Sequence, residues 1–183
     1  MDDGILAPEL DVAEWIGQPS PLAGLRGRVA LIETFQMLCP GCVSHGLPQA
    51  NRVQAAFPSV AVVGLHTVFE HHEAMTPLAL RAFLSEYRIT FPVAIDRHDG
   101  DLIPVTMRRY GLQGTPSTIL IDRRGRVRLT AFGVVDDLQL GAQLGQLIAE
   151  PDELPETAGT PASSAPATVP AAGPVCQPDH GCS

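Results

Sequence analysis

Two cysteines separated by two residues, Cys39-Pro40-Gly41-Cys42, are the side chains of this sequence best suited to chemistry. They follow an apolar run, Val29-Ala-Leu-Ile-Glu-Thr-Phe35, and precede a stretch that reads as a helix from about Pro40 to Phe57. A Cys-x-x-Cys pair at the passage from strand to helix suits dithiol–disulfide exchange. The two intervening residues let the sulfurs close a small ring once the second cysteine stands one turn into the helix. The first cysteine then faces the unsatisfied N–H groups and positive dipole end of the helix, which favour its thiolate. Cysteines in such settings ionise anywhere from about 3.5 to about 7.5. Cys39 is therefore expected to attack a substrate disulfide, and Cys42, deeper in the fold, to resolve the mixed disulfide. The alternative is half of a structural zinc site. That site needs two further ligands, and only Cys176 and Cys182 could provide thiolates for it.

Glu33 lies in the apolar run six residues before Cys39. If the strand is buried, desolvation disfavours the charged carboxylate and raises its pKa. A carboxyl poised near neutral pH suits general acid–base work beside a thiol. The competing reading puts Glu33 at a solvated strand edge, but its neighbours Ile32 and Phe35 favour burial.

The elements that must hold these groups are legible from the patterning. The 183 residues carry 45% hydrophobic and 17% charged side chains, enough for one packed domain. Val29–Phe35 and Val60–Leu65 are continuous apolar runs, as expected of strands covered on both faces. Pro48 is expected to kink the first helix. Thr76-Pro77 caps a helix to about Tyr87. A short strand is expected over Phe91–Ile95 and a helix over Asp101–Tyr110. A hairpin joins Ser117–Ile121 to Val127–Phe132 through Asp122-Arg-Arg-Gly125. Asp136-Asp137 then opens a last helix to about Ala149, with Leu138, Leu140, Leu144, Leu147 and Ile148 inward. Strands alternating with helices predict an α/β fold in three α/β/α layers, with a largely parallel sheet closed by antiparallel strands.

These residues also resemble a known family. Trp15, Pro21-Leu-Ala-Gly-Leu-Arg-Gly27, Cys39-Pro-Gly-Cys42, Ile89-Thr-Phe-Pro92, Tyr110-Gly111 and Gly114-Thr-Pro116-Ser-Thr-Ile-Leu-Ile-Asp122-Arg-Arg-Gly125 occur in an order and spacing similar to the TlpA-like thiol-disulfide oxidoreductases of the thioredoxin superfamily. The resemblance covers about Trp15 to Ala149. It implies a cis-proline at Pro116 facing the redox pair. It also implies substrate contacts from the backbone of Thr115 and from Pro40 and Gly41, and a proton-transfer role for Glu33. It implies no cofactor. The partners would be disulfide-containing proteins and a thiol electron donor. One departure is Leu38, where the family usually has tryptophan.

Other features exclude or demote competing functions. The net charge is −8, every one of the 12 basic residues is arginine, and there is no lysine. A nucleic-acid surface, a Schiff base and a phosphate-cradling lysine are therefore not expected. No apolar run approaches the ~18 residues of a membrane span. The start, Met1-Asp-Asp-Gly4, is acidic and lacks the positive region of a secretory signal, so a cytoplasmic location is expected; a monomer is expected as well. His66, His71, His72, Glu70 and Glu73 form a His/Glu-rich stretch that reads as an exposed loop in preference to a metal site. His45 reads as an exposed helical residue, and the arginines at 123, 124, 126 and 128 as a solvated turn. Two rival functions stay open: a peroxiredoxin-like thiol peroxidase and a thiolate metal-handling module. The first is disfavoured by Gln36, which stands three residues before Cys39 where peroxiredoxins typically carry threonine.

The chain divides by composition into a domain over 1–150, a Pro/Ala-rich linker over 151–175 and a Cys/His-containing tip over 176–183. Six prolines and six alanines in 151–175 predict an extended linker. Proline and glycine between Cys176 and Cys182 favour a turn that brings the two sulfurs together. On a flexible tether this pair would reach Cys39 at an effective concentration on the order of millimolar, as an accessory redox couple. An inert tail and a weak metal clasp are the alternatives. Truncation after Glu150 is expected to slow turnover with a protein electron donor. Unchanged rates, together with no disulfide between Cys39 and the tail in partly oxidised protein, would leave the tail inert.

Overall fold

The computed structural model describes residues 5–151, so the linker, apart from Pro151, and the tip with Cys176 and Cys182 lie outside the described residues. Six strands and four α-helices follow one another as β1 (Val12–Ile16), β2 (Ala30–Phe35), α1 (Leu47–Ala56), β3 (Ala61–His66), α2 (Pro77–Glu86), β4 (Val93–Asp96), α3 (Val105–Arg109), β5 (Ser117–Ile121), β6 (Val127–Phe132) and α4 (Asp137–Ala149). The sheet order is β1-β4-β3-β2-β5-β6. Pairings β2–β3 and β3–β4 are parallel; β1–β4, β2–β5 and β5–β6 are antiparallel. The sheet is thus mixed, less parallel than the alternation of elements suggests. The segment after α3 runs back across to β2 and pairs with it in the opposite sense.

Burial follows strand position. Every residue of β2, β3 and β5 is buried, which is why these runs carry almost no alternation. The edge strand β6 alternates, with every second residue exposed. β1 lacks an apolar run and is not foreseen from the sequence. It is held at the other edge by β4, through a ladder with an irregularity between Val12 and Glu14.

The two faces of the sheet are covered unequally. Leu31, Phe35, Val62, Val93 and Leu120 meet Leu47, Ala50 and Val53 of α1, Leu80 and Leu84 of α2, and Leu140, Leu144 and Leu147 of α4. The opposite face, with Ile32, Val63, Leu65, Ala94 and Ile119, is covered by Ala7, Leu10, Leu22, Trp15 and Tyr110. That layer is held by polar contacts. The Glu9 carboxylate accepts from the N–H groups of Leu22 (2.7 Å) and Ala23 (2.9 Å) at a short 3-10 turn, and the Tyr110 hydroxyl donates to the Pro8 carbonyl at 2.6 Å.

Several boundaries differ from expectation. The helix expected from Asp101 begins only at Val105, because Pro104 disfavours helical backbone in the residue before it. The buried Asp96 carboxylate then caps it, accepting from the N–H groups of Thr106 (2.8 Å) and Met107 (3.0 Å). Leu138 is 85% exposed, while Leu140, Leu144 and Leu147 are buried. Leu138 sits in the first turn after the Asp136 cap, facing away from the sheet. The Thr76 and Asp136 caps are as expected. The hairpin arginines do more than a solvated turn. Arg128 pairs with Glu150 (2.7 Å) and Asp122 (3.2 Å), and Arg123 donates to the Ile148 and Glu150 carbonyls, fastening β6 to the end of α4. Among the described residues, no helix is long and apolar enough to cross a membrane.

His66 ends β3 buried against Phe35, with 5.2 Å between ring centroids, and its Nε2 has no hydrogen-bond partner among the described residues. It is not part of an exposed loop. Burial lowers its pKa to about 4, while the unfolded chain titrates it near 6.5. Between those values the unfolded state binds the extra proton, so stability falls as the pH drops from 6.5 to 4, by roughly 2–3 kcal/mol. His66→Leu is expected to flatten that limb in urea denaturation across this range. An unaltered slope would mean that His66 accepts its proton within the fold.

Candidate active site

The cysteine pair stands where β2 ends. After Phe35 the chain turns through Gln36, Met37 and Leu38, and the helix begins at Pro40. Proline fits a first helical position, where its missing N–H costs nothing. Over Cys42–Gly46 the helix widens to a π turn, in which the Leu47 N–H donates to the Cys42 carbonyl. Pro48, expected to kink the helix, stands just past this π turn. Pro48 has no N–H to continue the α-helical ladder, and the wide turn takes up the mismatch immediately before it.

Cys39 and Cys42 are joined as a disulfide, with their Cα atoms 5.3 Å apart. Cys39 is partly exposed and Cys42 fully buried, matching the depth order expected of attacking and resolving sulfurs. The Cys42 N–H donates to Cys39 Sγ at 3.2 Å. This is the helix-start donor that stabilises negative charge on the first sulfur. Cys39 Sγ also lies 3.4 Å from the Thr115 carbonyl oxygen. Leu38, the residue before it, is 57% exposed.

The Thr115–Pro116 peptide bond is cis. The loop carrying it is anchored on both sides. The Ser117 N–H donates to Thr34 Oγ1 at 3.0 Å on β2, and the Gly133 N–H donates to the Pro116 carbonyl at 2.9 Å after β6. The Pro116 ring packs on the cysteine helix where that helix has no side chain. A Cβ placed at Gly41 would lie 3.2 Å from Pro116 Cδ.

Glu33 is buried beneath this assembly at 1% exposure. Its Oε2 accepts from the Thr118 hydroxyl at 2.9 Å, while Oε1 has no partner among the described residues. Burial pushes its pKa up to about 8, opposed by the Thr118 hydrogen bond. The expected burial and raised pKa are both present. Gln36 is buried too. Its Oε1 accepts from the Phe69 N–H at 3.2 Å and its Nε2 donates to Glu70 at 3.4 Å, so its amide is committed to the loop after β3. His45 is exposed and bonded to Ser44. Among the described residues no group of three or more His, Cys, Asp or Glu could hold a metal ion, the 66–73 stretch included.

The structure thus brings Cys39, Cys42, Thr115, Pro116, Gly41 and Glu33 to one place. Sequence reasoning did not single out Thr118, Ser117 or Gly46. Gly46 carried a signal, since a glycine inside a predicted helix is unfavourable and needs a reason.

This arrangement of mixed sheet, helix-start disulfide and cis-proline defines an oxidoreductase of the thioredoxin superfamily with a redox-active cysteine pair. The chain belongs to the AhpC/TSA family, whose model matches residues 4–130. It is similar to a solved thiol-disulfide isomerase from Corynebacterium glutamicum, at 51% identity and a TM-score of 0.78, covering 82% of this chain and all of that one. A solved thioredoxin-like superfamily protein is 55% identical with a TM-score of 0.78, covering 80% of this chain and 97% of that chain. The thiol:disulfide interchange protein DsbE of Pseudomonas aeruginosa is 30% identical over 135 residues, 71% of this chain and 67% of that protein.

The Glu33 carboxyl has a consequence for stability. The native group holds its proton up to about pH 8, whereas the unfolded chain releases it near 4.5. Stability derived from the retained proton is full below 4.5 and is lost as the pH rises through 8. Glu33→Gln is therefore expected to gain on the parent by a few kcal/mol between pH 4.5 and 8, while disulfide exchange slows and its pH profile flattens. Parallel stability curves for the two proteins would show that Glu33 ionises normally in the fold.

Proposed function

We propose that this enzyme reduces or exchanges disulfides in partner proteins through the Cys39-Pro40-Gly41-Cys42 dithiol. The observation that carries this reading is the asymmetry of the pair: a reachable Cys39 sulfur served by the Cys42 N–H, above a buried Cys42. In the reduced enzyme the Cys39 thiolate attacks one sulfur of a substrate disulfide. The Cys39–substrate bond forms, the substrate S–S bond breaks, and the other substrate sulfur leaves as a thiolate that takes up a proton. Cys42 then loses its proton to Glu33 in its carboxylate form, whose share grows as the pH approaches 8, and attacks Cys39 Sγ. This breaks the mixed disulfide, releases the second substrate thiol and leaves Cys39–Cys42 oxidised. Two electrons have passed to the substrate, and a thiol donor restores the dithiol by the reverse steps. Thr115, Pro40 and Gly41 border the exposed sulfur and serve as the backbone ledge for an extended substrate segment.

The geometry at Gln36 favours this reading over peroxidase chemistry. The residue three before Cys39 is turned into the protein and bonded there, away from an incoming peroxide. Peroxide consumption with a thiol reductant separates the two functions. The reduction potential of the couple sets the direction of electron flow. A monomer in the cytoplasm is part of the same proposal, checked by sedimentation and by cell fractionation.

Cys39→Ser is expected to abolish protein-disulfide reduction, and Cys42→Ser to accumulate mixed disulfides with partners. Faster alkylation of Cys42 than of Cys39 in the reduced protein would reverse the two roles.

A further inference from the structure

Gly46 occupies the last position of the π turn, one turn beyond Cys42. Its backbone is ordinary right-handed helix, with φ −57° and ψ −58°, so no conformational demand calls for glycine. Helix propensity argues against it, since glycine costs about 1 kcal/mol relative to alanine. What glycine provides here is room. A Cβ at this position would overlap Glu33 Oε1 and would lie 3.2 Å from Glu33 Cδ and 3.1 Å from Pro116 Cβ. Backing the helix away from Glu33 would also open its contact with Pro116 at Gly41 and Gly46.

We propose that Gly46 is a positioning residue for Glu33: its bare Cα forms the wall against which the unpartnered carboxyl oxygen rests, holding that oxygen at the π turn that begins with Cys42. Two independent observations meet in this contact. One is the buried oxygen without a partner. The other is a helical glycine whose only distinction is the space it leaves there. An acid this long keeps its carboxyl at this place between β2 and the cysteine helix only if the helix offers no side chain at 46. The inference rests on the proposed role of Glu33 as proton acceptor for Cys42.

The groups facing this carboxyl from the surrounding elements are few. β5 presents Thr118, the helix presents Gly46 four residues after Cys42, and the cis-proline loop presents Pro116. On β3 the strand partner is Gly64, and His66 lies two residues further along. Among the described residues Glu33 makes no ion pair, so moving its carboxyl disturbs none.

The test is a set of variants at 46 and 33, followed by two rates. One is reduction of the Cys39–Cys42 disulfide by dithiothreitol across pH 5–10. The other is turnover of a protein disulfide. Gly46→Ala is expected to slow both about tenfold near pH 7 and to move the pH profile of the first by about one unit. Glu33→Asp, one methylene shorter, removes the overlap, so Gly46→Ala is expected to have less than a twofold effect when added to it. In a Glu33→Gln background Gly46→Ala should leave the pH profile unmoved. If Gly46→Ala alone does not fold, the Glu33→Asp, Gly46→Ala double variant is expected to recover a cooperative thermal transition. An unaltered profile in folded Gly46→Ala overturns the proposal. So does an equal loss in all three backgrounds, or a double variant that stays unfolded. A parent enzyme inactive on protein disulfides would overturn the proposed function alone, because reduction by dithiothreitol still reads the contact between Gly46 and Glu33.

Discussion

The close approach of the cysteine helix to the Pro116 loop is the contact on which the rest of this site depends. Pro116 meets the helix at two glycines, Gly41 and Gly46, and a Cβ at either would press into its ring at 3.1–3.2 Å. With the helix seated that low, Cys39 Sγ reaches the Thr115 carbonyl and Cys42 is sealed from solvent. The same seating brings the helix down onto Glu33. Pro116 is in turn tied to both neighbouring strands, through Ser117 to β2 and through its own carbonyl to Gly133. The exposed sulfur thus inherits the rigidity of the sheet.

Buried polar groups divide into two kinds. Asp96 is nearly inaccessible but accepts from the Thr67 hydroxyl and from the N–H groups of Thr106 and Met107, so its carboxylate is well satisfied and starts α3. Burial raises its pKa and those hydrogen bonds oppose the shift. Glu33 and His66 are different. Each keeps a buried atom without a partner among the described residues, and both lie toward the C-terminal ends of β2 and β3, near Phe35. An unsatisfied buried polar atom costs roughly 1–3 kcal/mol. For Glu33 that cost leaves a carboxyl that holds its proton to about pH 8, the range in which thiols exchange protons. Stability and acid–base competence pull in opposite directions there.

Legibility from the sequence tracks how local the determining physics is. The buried strands, the Thr76 and Asp136 caps and the helix start at Pro40 depend on neighbours in the chain, and each is where patterning puts it. Glu33 was readable for the same reason, since an acid within Val29–Phe35 must share the burial of its neighbours. β1 was not readable. Its residues are only half-buried, and what makes them a strand is β4, some 80 residues away. The late start of α3 and the outward Leu138 are boundary effects, in which a proline and a capping aspartate shift the helix phase by a few residues. His66 reads as a loop residue from its polar neighbours, yet pairing with Phe35 on β2 draws it into the sheet.

The sequence by itself determined the chemistry available: two thiols at the spacing and helix-start position that permit exchange, and one acid committed to a buried strand. Those properties follow from covalent spacing, helix-end electrostatics and desolvation, all of which act along a short stretch of chain. Only the tertiary structure decided how the groups meet. It took β5 pairing with β2 to bring Thr118 to Glu33 and Pro116 to the helix. It also took the packing of that helix to turn Gly46 from a weak helix residue into the space the acid occupies. The contact between Thr118 and Glu33 joins residues 85 positions apart, and all of these contacts are set by the volume left between packed elements, a quantity that no local run of sequence encodes.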